Sequence, residues 1–158
     1  LIPDASVAHN IAGVIRSRLT KAGLITQAAE NAAARTWAAR LEVKTASLDM
    51  LARTMSGGNQ QKVVIAKWLA TQPTLLIIDE PTRGIDVGTK AEVHRLLSEL
   101  ASQGLAVLMI SSELPEVIGM ADRVLVVCEG RLTADLPREV ATPEAVMVAA
   151  TRADEAVA

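Results

Sequence analysis

Two short segments of this chain carry residue types at spacings that suit phosphate and divalent-cation chemistry. The first is Met55-Ser56-Gly57-Gly58-Asn59-Gln60-Gln61-Lys62, a Ser-Gly-Gly turn leading into an apolar-striped run. A helix N-terminus leaves backbone N–H groups unpaired and carries partial positive charge, so it attracts anions. Ser56 suits the N-cap, and its hydroxyl can also reach a phosphate oxygen. Gly57 and Gly58 allow close approach of a phosphate because no Cβ stands in the way. The second segment is Leu75-Leu76-Ile77-Ile78-Asp79-Glu80-Pro81. It reads as a strand buried on both faces of a parallel sheet and ending on two carboxylates. Strand ends in open α/β sheets are where ligands bind. Asp79 there suits Mg²⁺, held through water because Mg²⁺ keeps much of its hydration shell. Glu80 would orient or deprotonate an attacking water. Alone, each segment has a plainer reading: a capped helix after a glycine turn, and two solvated acids in a loop.

One piece of phosphate hardware is missing. No Gly-x-x-x-x-Gly-Lys-Ser/Thr loop occurs in the 158 residues. The chain therefore has no loop of its own to wrap a nucleotide's phosphates and hold them with a lysine.

The elements that must position these residues follow from periodicity. Residues 6–20 carry Val7, Ile11, Val14, Ile15 and Leu19 at helical spacing, closed by Gly23. Residues 26–41 form an alanine-rich helix, with Leu24, Ile25, Ala29, Ala33, Trp37 and Leu41 available for one face. With no strand between them, these helices make a small lobe. Helix and strand then alternate: a helix over 59–70, a strand over 74–78 and a helix over 89–102 that turns Val93, Leu96, Leu97 and Leu100 inward. Gly104 stops that helix, and a strand over 105–110 and a short helix over 115–120 follow. Residues 123–128 and 131–136 flank Glu129-Gly130, a hairpin signal. Thr142-Pro143-Glu144 caps and starts a last helix running to 150. Residues 151–158 read as a frayed end.

Composition narrows the function classes. Half of the residues are hydrophobic, yet the chain has no Phe or Tyr and two Trp, Trp37 and Trp68, so its core must be aliphatic. A net charge of −2 argues against a nucleic-acid groove, and the scarcity of aromatics removes base-stacking platforms. One cysteine, Cys128, excludes an internal disulfide and any cysteine-rich metal site; lying in an apolar strand, it reads as an inert buried thiol. His9 and His94 sit in helical patterns and read as surface or half-buried helix residues. Apolar runs stop well short of the roughly 20 residues that span a bilayer, and no charged-then-apolar leader is present. The expectation is a polypeptide that is soluble, or peripheral on a membrane through a partner.

Together the segments resemble the ATP-binding cassette (ABC) transporter ATPases. Ser56-Gly57-Gly58 is similar to the family's signature, and Leu75 to Glu80 to its Walker B strand with the catalytic glutamate. Thr82-Arg83-Gly84-Ile85-Asp86-Val87-Gly88 falls where the family has its D-loop. SGGNQQK, DEPTRGIDVGTK, ISSELPEV and DRVLVV-x-EGR narrow the resemblance to the second, C-terminal cassette of the duplicated ATPases of ribose- and galactose-type sugar importers. It covers residues 4–150. The implied fold is α/β, a P-loop NTPase fragment lacking Walker A: a helical subdomain (1–55), then a signature helix with a Walker B and switch core (56–150), a mostly parallel sheet with a C-terminal β-hairpin, and a tail (151–158). Walker A and the Q-loop would precede Leu1, and a start at Leu fits a fragment.

The resemblance implies ATP and Mg²⁺ as ligands of the full-length protein, with Glu80 catalytic, Asp79 on the metal, and Ser56, Gly57, Gly58, Gln60 and Asp86 facing nucleotide. For Gln60 a structural role is equally open. It implies head-to-tail pairing with the other cassette of the same polypeptide, whose ATP the signature would contact in trans. Transmembrane permease subunits and, indirectly, a sugar-binding protein would be further partners, at the cytoplasmic face of the plasma membrane; no nucleic acid is implied. At one position the chain departs from the family. Ser112 occupies the place of the switch histidine, and a serine lacks the charge-switchable contact to a γ-phosphate. The fragment alone is expected to be inactive. Two alternatives are an ABC ATPase of DNA repair or chromosome maintenance, and an accessory, non-catalytic cassette.

Overall fold

The computed structural model describes residues 1–20 and 23–151. The chain falls into two compact units, Leu1–Leu108 and Met109–Ala158. In the first unit Ser6 caps helix α1 (Val7–Ala12), its hydroxyl accepting from the His9 N–H at 3.1 Å. At Gly13, a poor helix former, the chain tightens into a 3-10 turn (Gly13–Ile15) before α2 (Arg16–Leu19). The single helix expected over 6–20 is thus broken in the middle.

Helix α3 (Gln27–Arg40) is capped by Thr26, whose hydroxyl accepts from Ala29 N–H. Its buried residues are Ala34 and Ala38, followed by Leu41 beyond its end. The face expected from sequence ran through Ala33 and Trp37 instead. The packing explains the difference. α3 lies against α1 and α4, and small alanines allow helices to approach closely. Trp37 stays half-buried, with the Arg40 guanidinium 5.3 Å from its ring centroid. Val7, Ala8, Ile11 and Ala12 of α1 are buried on the other side of this contact. Backbone bonds from Val7 N–H to Met50 carbonyl and from Ala8 N–H to Leu48 carbonyl, both 2.9 Å, tie the segment before the 3-10 turn Ala52–Thr54 to the start of α1.

The rest of this unit holds α4 (Gly57–Leu69), β1 (Leu75–Asp79) and α5 (Val87–Ser102), stopped by Gly104 at φ 92°. Strand β2 (Ala106–Ile110) runs across the boundary between the units and forms a two-stranded sheet with β1. The sequence predicts β1 as buried on both faces, and the structure corrects this. Leu76 and Ile78 are buried, while Leu75 is 48% and Ile77 59% exposed. The described residues cover one face of the strand and leave an apolar face open.

The second unit contains α6 (Leu114–Met120) and an antiparallel hairpin of β3 (Arg123–Cys128) and β4 (Arg131–Pro137). Glu129 and Gly130 at its tip have φ of 49° and 77°, the left-handed pair that a tight two-residue turn demands. Arg123 and Asp135 pair across the strands, and the guanidinium holds the Asp135 carboxyl below its ordinary range. Pro143 opens α7 (Pro143–Thr151) and Thr142 caps it. The core here is Val124, Val126, Ala141, Val146 and Ala149. Cys128, expected to be buried, is half-buried at the end of β3. Thr151 closes α7, and the rest of the end expected to fray lies outside the described residues. Among the described residues no helix is long and apolar enough to cross a membrane.

Candidate functional site

Ser56 has extended backbone and stands at the N-cap of α4, exposed to solvent. It makes no side-chain cap bond. A capping serine ordinarily accepts from a first-turn backbone N–H. Here the Ser56 Oγ instead accepts from Asn59 Nδ2 at 3.0 Å. The first-turn N–H groups of Gly57, Gly58 and Asn59 thus have no side-chain cap, at a helix start whose Ser56 and Gly57 are exposed. Asn59 is itself fixed, because its Oδ1 accepts from the Lys44 backbone N–H at 2.8 Å. Gln60 Nε2 turns back to donate to the Met55 carbonyl at 3.0 Å, which braces the turn from behind.

The two glycines are needed for different reasons. A Cβ on Gly57 would sit 3.3 Å from Ile85 Cγ2, a tight contact that the Ile85 side chain would have to relieve by a small shift. A Cβ on the buried Gly58 would run into Thr89 Cγ2. Glycine at 58 therefore lets α4 start against the first turn of α5, in addition to any ligand approach.

The loop between β1 and α5 supplies the acids. Asp79 is the last residue of β1 and is exposed. Glu80 follows at φ 46°, a left-handed conformation rare for a non-glycine residue, which costs about 1–3 kcal/mol and is typical of functional turns. Pro81 and Thr82 are buried beneath it. Asp86 caps α5: Oδ1 accepts from Thr89 N–H at 3.0 Å and Oδ2 from Thr89 Oγ1 at 2.6 Å. These bonds, the side-chain one first, hold its carboxyl below the ordinary Asp range. Thr89 thus touches both motifs, bonded to Asp86 and packed against Gly58.

A charged junction, overlooked in the sequence, stands behind the turn. Lys62 lies on the buried stripe of α4 with 5% of its side chain exposed, and its Nζ donates to Glu92 Oε2 at 2.8 Å. Lys44 Nζ approaches Glu92 Oε1 at 3.6 Å. The Lys62 bond, then the charges of Lys62 and Lys44, keep the Glu92 carboxyl low. The sequence signal was a lysine inside an otherwise apolar stripe, four residues after Gly58. Gly57 and Gly58 are brought against Gly84, Ile85 and Thr89. Ser112 belongs to the second unit, exposed in the bend before α6.

A family profile described as ABC transporter matches residues 1–83, just over half of the chain. The chain belongs to the ABC transporter family. The ribose import ATP-binding protein RbsA 2 of Streptomyces avermitilis is 62% identical over 152 residues, 96% of this chain and 30% of that protein. RbsA 1 of Streptomyces coelicolor is 63% identical over 152 residues, with the same shares. This ABC chain thus spans about 30% of the length of these curated relatives. They lend no support to the DNA-repair or chromosome-maintenance alternative. Among solved structures, a dimeric post-hydrolysis state of the ATP-binding cassette MJ0796 bound to ADP and Pi has a TM-score of 0.72 at 22% identity, covering 87% of this chain and 59% of that one. The ADP conformation of MJ1267, a cassette of an ABC transporter, has a TM-score of 0.72 at 22% identity over 96% of this chain and 65% of that one. Both give the fold as that of an ABC ATPase cassette, part of which this chain comprises.

Proposed function

We propose that this chain is part of the second cassette of the ATP-binding subunit of a ribose-type sugar importer. That subunit is an ATPase at the cytoplasmic face of the plasma membrane, docked on transmembrane permease subunits and served indirectly by a sugar-binding protein. The observation that carries the reading is the solvent-facing signature turn, a serine that caps nothing beside three first-turn N–H groups, in a chain so close to ribose import ATP-binding proteins. Such a turn offers several donors and partial positive charge to a phosphoryl group. In this reading the phosphoryl group it meets is held by the other cassette, head to tail. Donors waiting at that place stabilise charge as it develops during hydrolysis.

The remaining residues take roles around this cassette's own nucleotide. The exposed Asp79 carboxylate suits Mg²⁺, which takes one or two carboxylates together with phosphate oxygens and water. Glu80, held by a strained turn at the strand end, would orient or deprotonate the attacking water. Asp86 keeps the D-loop in register with α5 by capping it, beside the signature turn. Ser112 at the switch position offers a hydroxyl whose charge does not switch near neutral pH, so this half serves mainly to complete its partner's site.

Gly57→Asp tests the trans role in the full-length importer. An acid in the first turn of a helix is favourable for folding, so α4 should form. Facing phosphate, however, the carboxylate repels it by several kcal/mol by order of magnitude, a loss of about a hundredfold or more in ATPase. Gly57→Asn, equal in size but uncharged, should lose far less. If assembled Gly57→Asp importer keeps most of its ATPase and sugar uptake, the trans role is wrong.

A further inference from the structure

We propose that Asn59 is a positioning residue for phosphate recognition: its side-chain amide holds the Ser56 hydroxyl as an acceptor, so that the hydroxyl proton is offered to the terminal phosphoryl group of a nucleoside triphosphate. The proposal rests on the reading of Ser56-Gly57-Gly58 as a phosphate-facing signature.

Hydrogen-bond polarity carries the argument. A backbone N–H can only donate. The Lys44 N–H points at Asn59 at 2.8 Å, so the atom receiving it must be the amide oxygen. That fixes the amide orientation, which geometry alone often leaves open. The NH₂ end is then the group facing Ser56 Oγ at 3.0 Å, and it too can only donate. The Ser56 oxygen is thereby an acceptor, and its own proton has no acceptor among the described residues. Phosphoryl oxygens are acceptors, so a serine held in this state is matched to one.

Beside this bond Ser56 makes no cap bond. A capping serine would take the Asn59 backbone N–H, removing one donor from the turn. With the side chain of Asn59 in its place, both the hydroxyl proton and the backbone donor remain for ligand. Lys44, whose N–H sets the amide, lies in a segment pinned by its own Nζ and by Lys62 to Glu92. The Lys62 Nζ also reaches the Glu42 carbonyl at 3.5 Å. Residues 42–44 and α4 are thus joined at two points, one of them the amide that orients Ser56.

The test is a double-mutant cycle in the full-length importer with Asn59→Ala, Ser56→Ala and the pair. The readouts are the dissociation constant for a non-hydrolysable ATP analogue, together with ATPase kcat and KM. Ser56→Ala is expected to weaken analogue binding or kcat/KM by roughly tenfold, the scale of one hydrogen bond to a charged group. Asn59→Ala is expected to produce most of that loss while Ser56 is present, and no further loss once Ser56 is alanine. A purely structural Asn59, anchoring residues 42–44 to α4, would instead add its loss in both backgrounds, and additive losses overturn the proposal. So does a harmful Ser56→Ala beside a harmless Asn59→Ala. If Ser56→Ala and Gly57→Asp are both harmless, the signature reading itself fails, and the proposal with it.

Discussion

Glu80 is the one acid of the site that the backbone holds in a left-handed conformation, directly after the buried Ile78 and exposed Asp79. Placing a carboxylate at the end of a strand by means of a strained turn fits the orientation of a water. In the proposed importer its weight depends on the switch position as well. Ser112, which we read as standing there, has no group that can change its charge near neutral pH. Glu80→Gln in the full-length protein should therefore reduce steady-state ATPase less than the same change at the equivalent glutamate of the first cassette. Equal losses from the two substitutions would refute the asymmetry. At this scale the sequence was legible where a motif states its own chemistry. Ser56 and Gly57 stand at a helix start and Asp79 and Glu80 at a strand end, the places expected of them from the sequence. It was silent where chemistry depends on a partner distant in the chain. Asn59 gains its orientation from Lys44, fifteen residues earlier. Asp86 accepts from Thr89 through both carboxylate oxygens, a cap the sequence did not announce.

Between elements, the tightest constraint is the meeting of α4 and α5 at Gly58 and Thr89. A methyl group at 58 would occupy the space of Thr89 Cγ2, with Thr89 Cβ and Oγ1 at 3.2 and 3.3 Å. Gly58→Ala should destabilise the protein by about 1–3 kcal/mol, the usual cost of overpacking. Adding Thr89→Ser removes the offending methyl and keeps the hydroxyl that bonds Asp86. The double variant should regain a large part of the loss in Tm, whereas Thr89→Ser alone should change Tm little. If the double variant melts no higher than Gly58→Ala, the clash is not what makes glycine necessary. Periodicity located the elements well because caps and turns are local. Thr26, Asp86 and Thr142 begin helices, and Glu129-Gly130 turns the hairpin. Faces were harder to read. The half-buried Trp37 drew the expected face of α3 toward itself, while the buried residues are Ala34 and Ala38, whose value is smallness rather than hydrophobicity. The break of the first helix at Gly13 went unread because one glycine in an apolar-spaced run is often tolerated.

Over the whole molecule, exposed apolar strand residues recur in both units: Leu75, Ile77 and Leu108 in the first, Leu125 and Val127 in the second. Trp68 adds to the first group, lining an open groove with Pro73, Leu75 and Ile77. Scattered exposed apolar residues are ordinary, but a contiguous strand face is a place where another surface is buried. The sequence recorded β1 as buried on both faces because its run of Leu and Ile is what a doubly covered strand looks like. That reading describes a covered sheet, and the relatives of this chain are more than three times its length, as its 30% share of them implies. Taken alone, then, the chain should cover these faces with copies of itself. Light scattering at increasing concentration should show association. Replacing Leu75 and Ile77 together by threonine, which keeps strand propensity, should shift the population toward monomer. Because both side chains are already about half exposed, the same double variant should leave Tm nearly unchanged. A wild-type chain that stays monomeric at high concentration would show that these faces are tolerated in water. An associating chain indifferent to the two threonines would place its contact elsewhere.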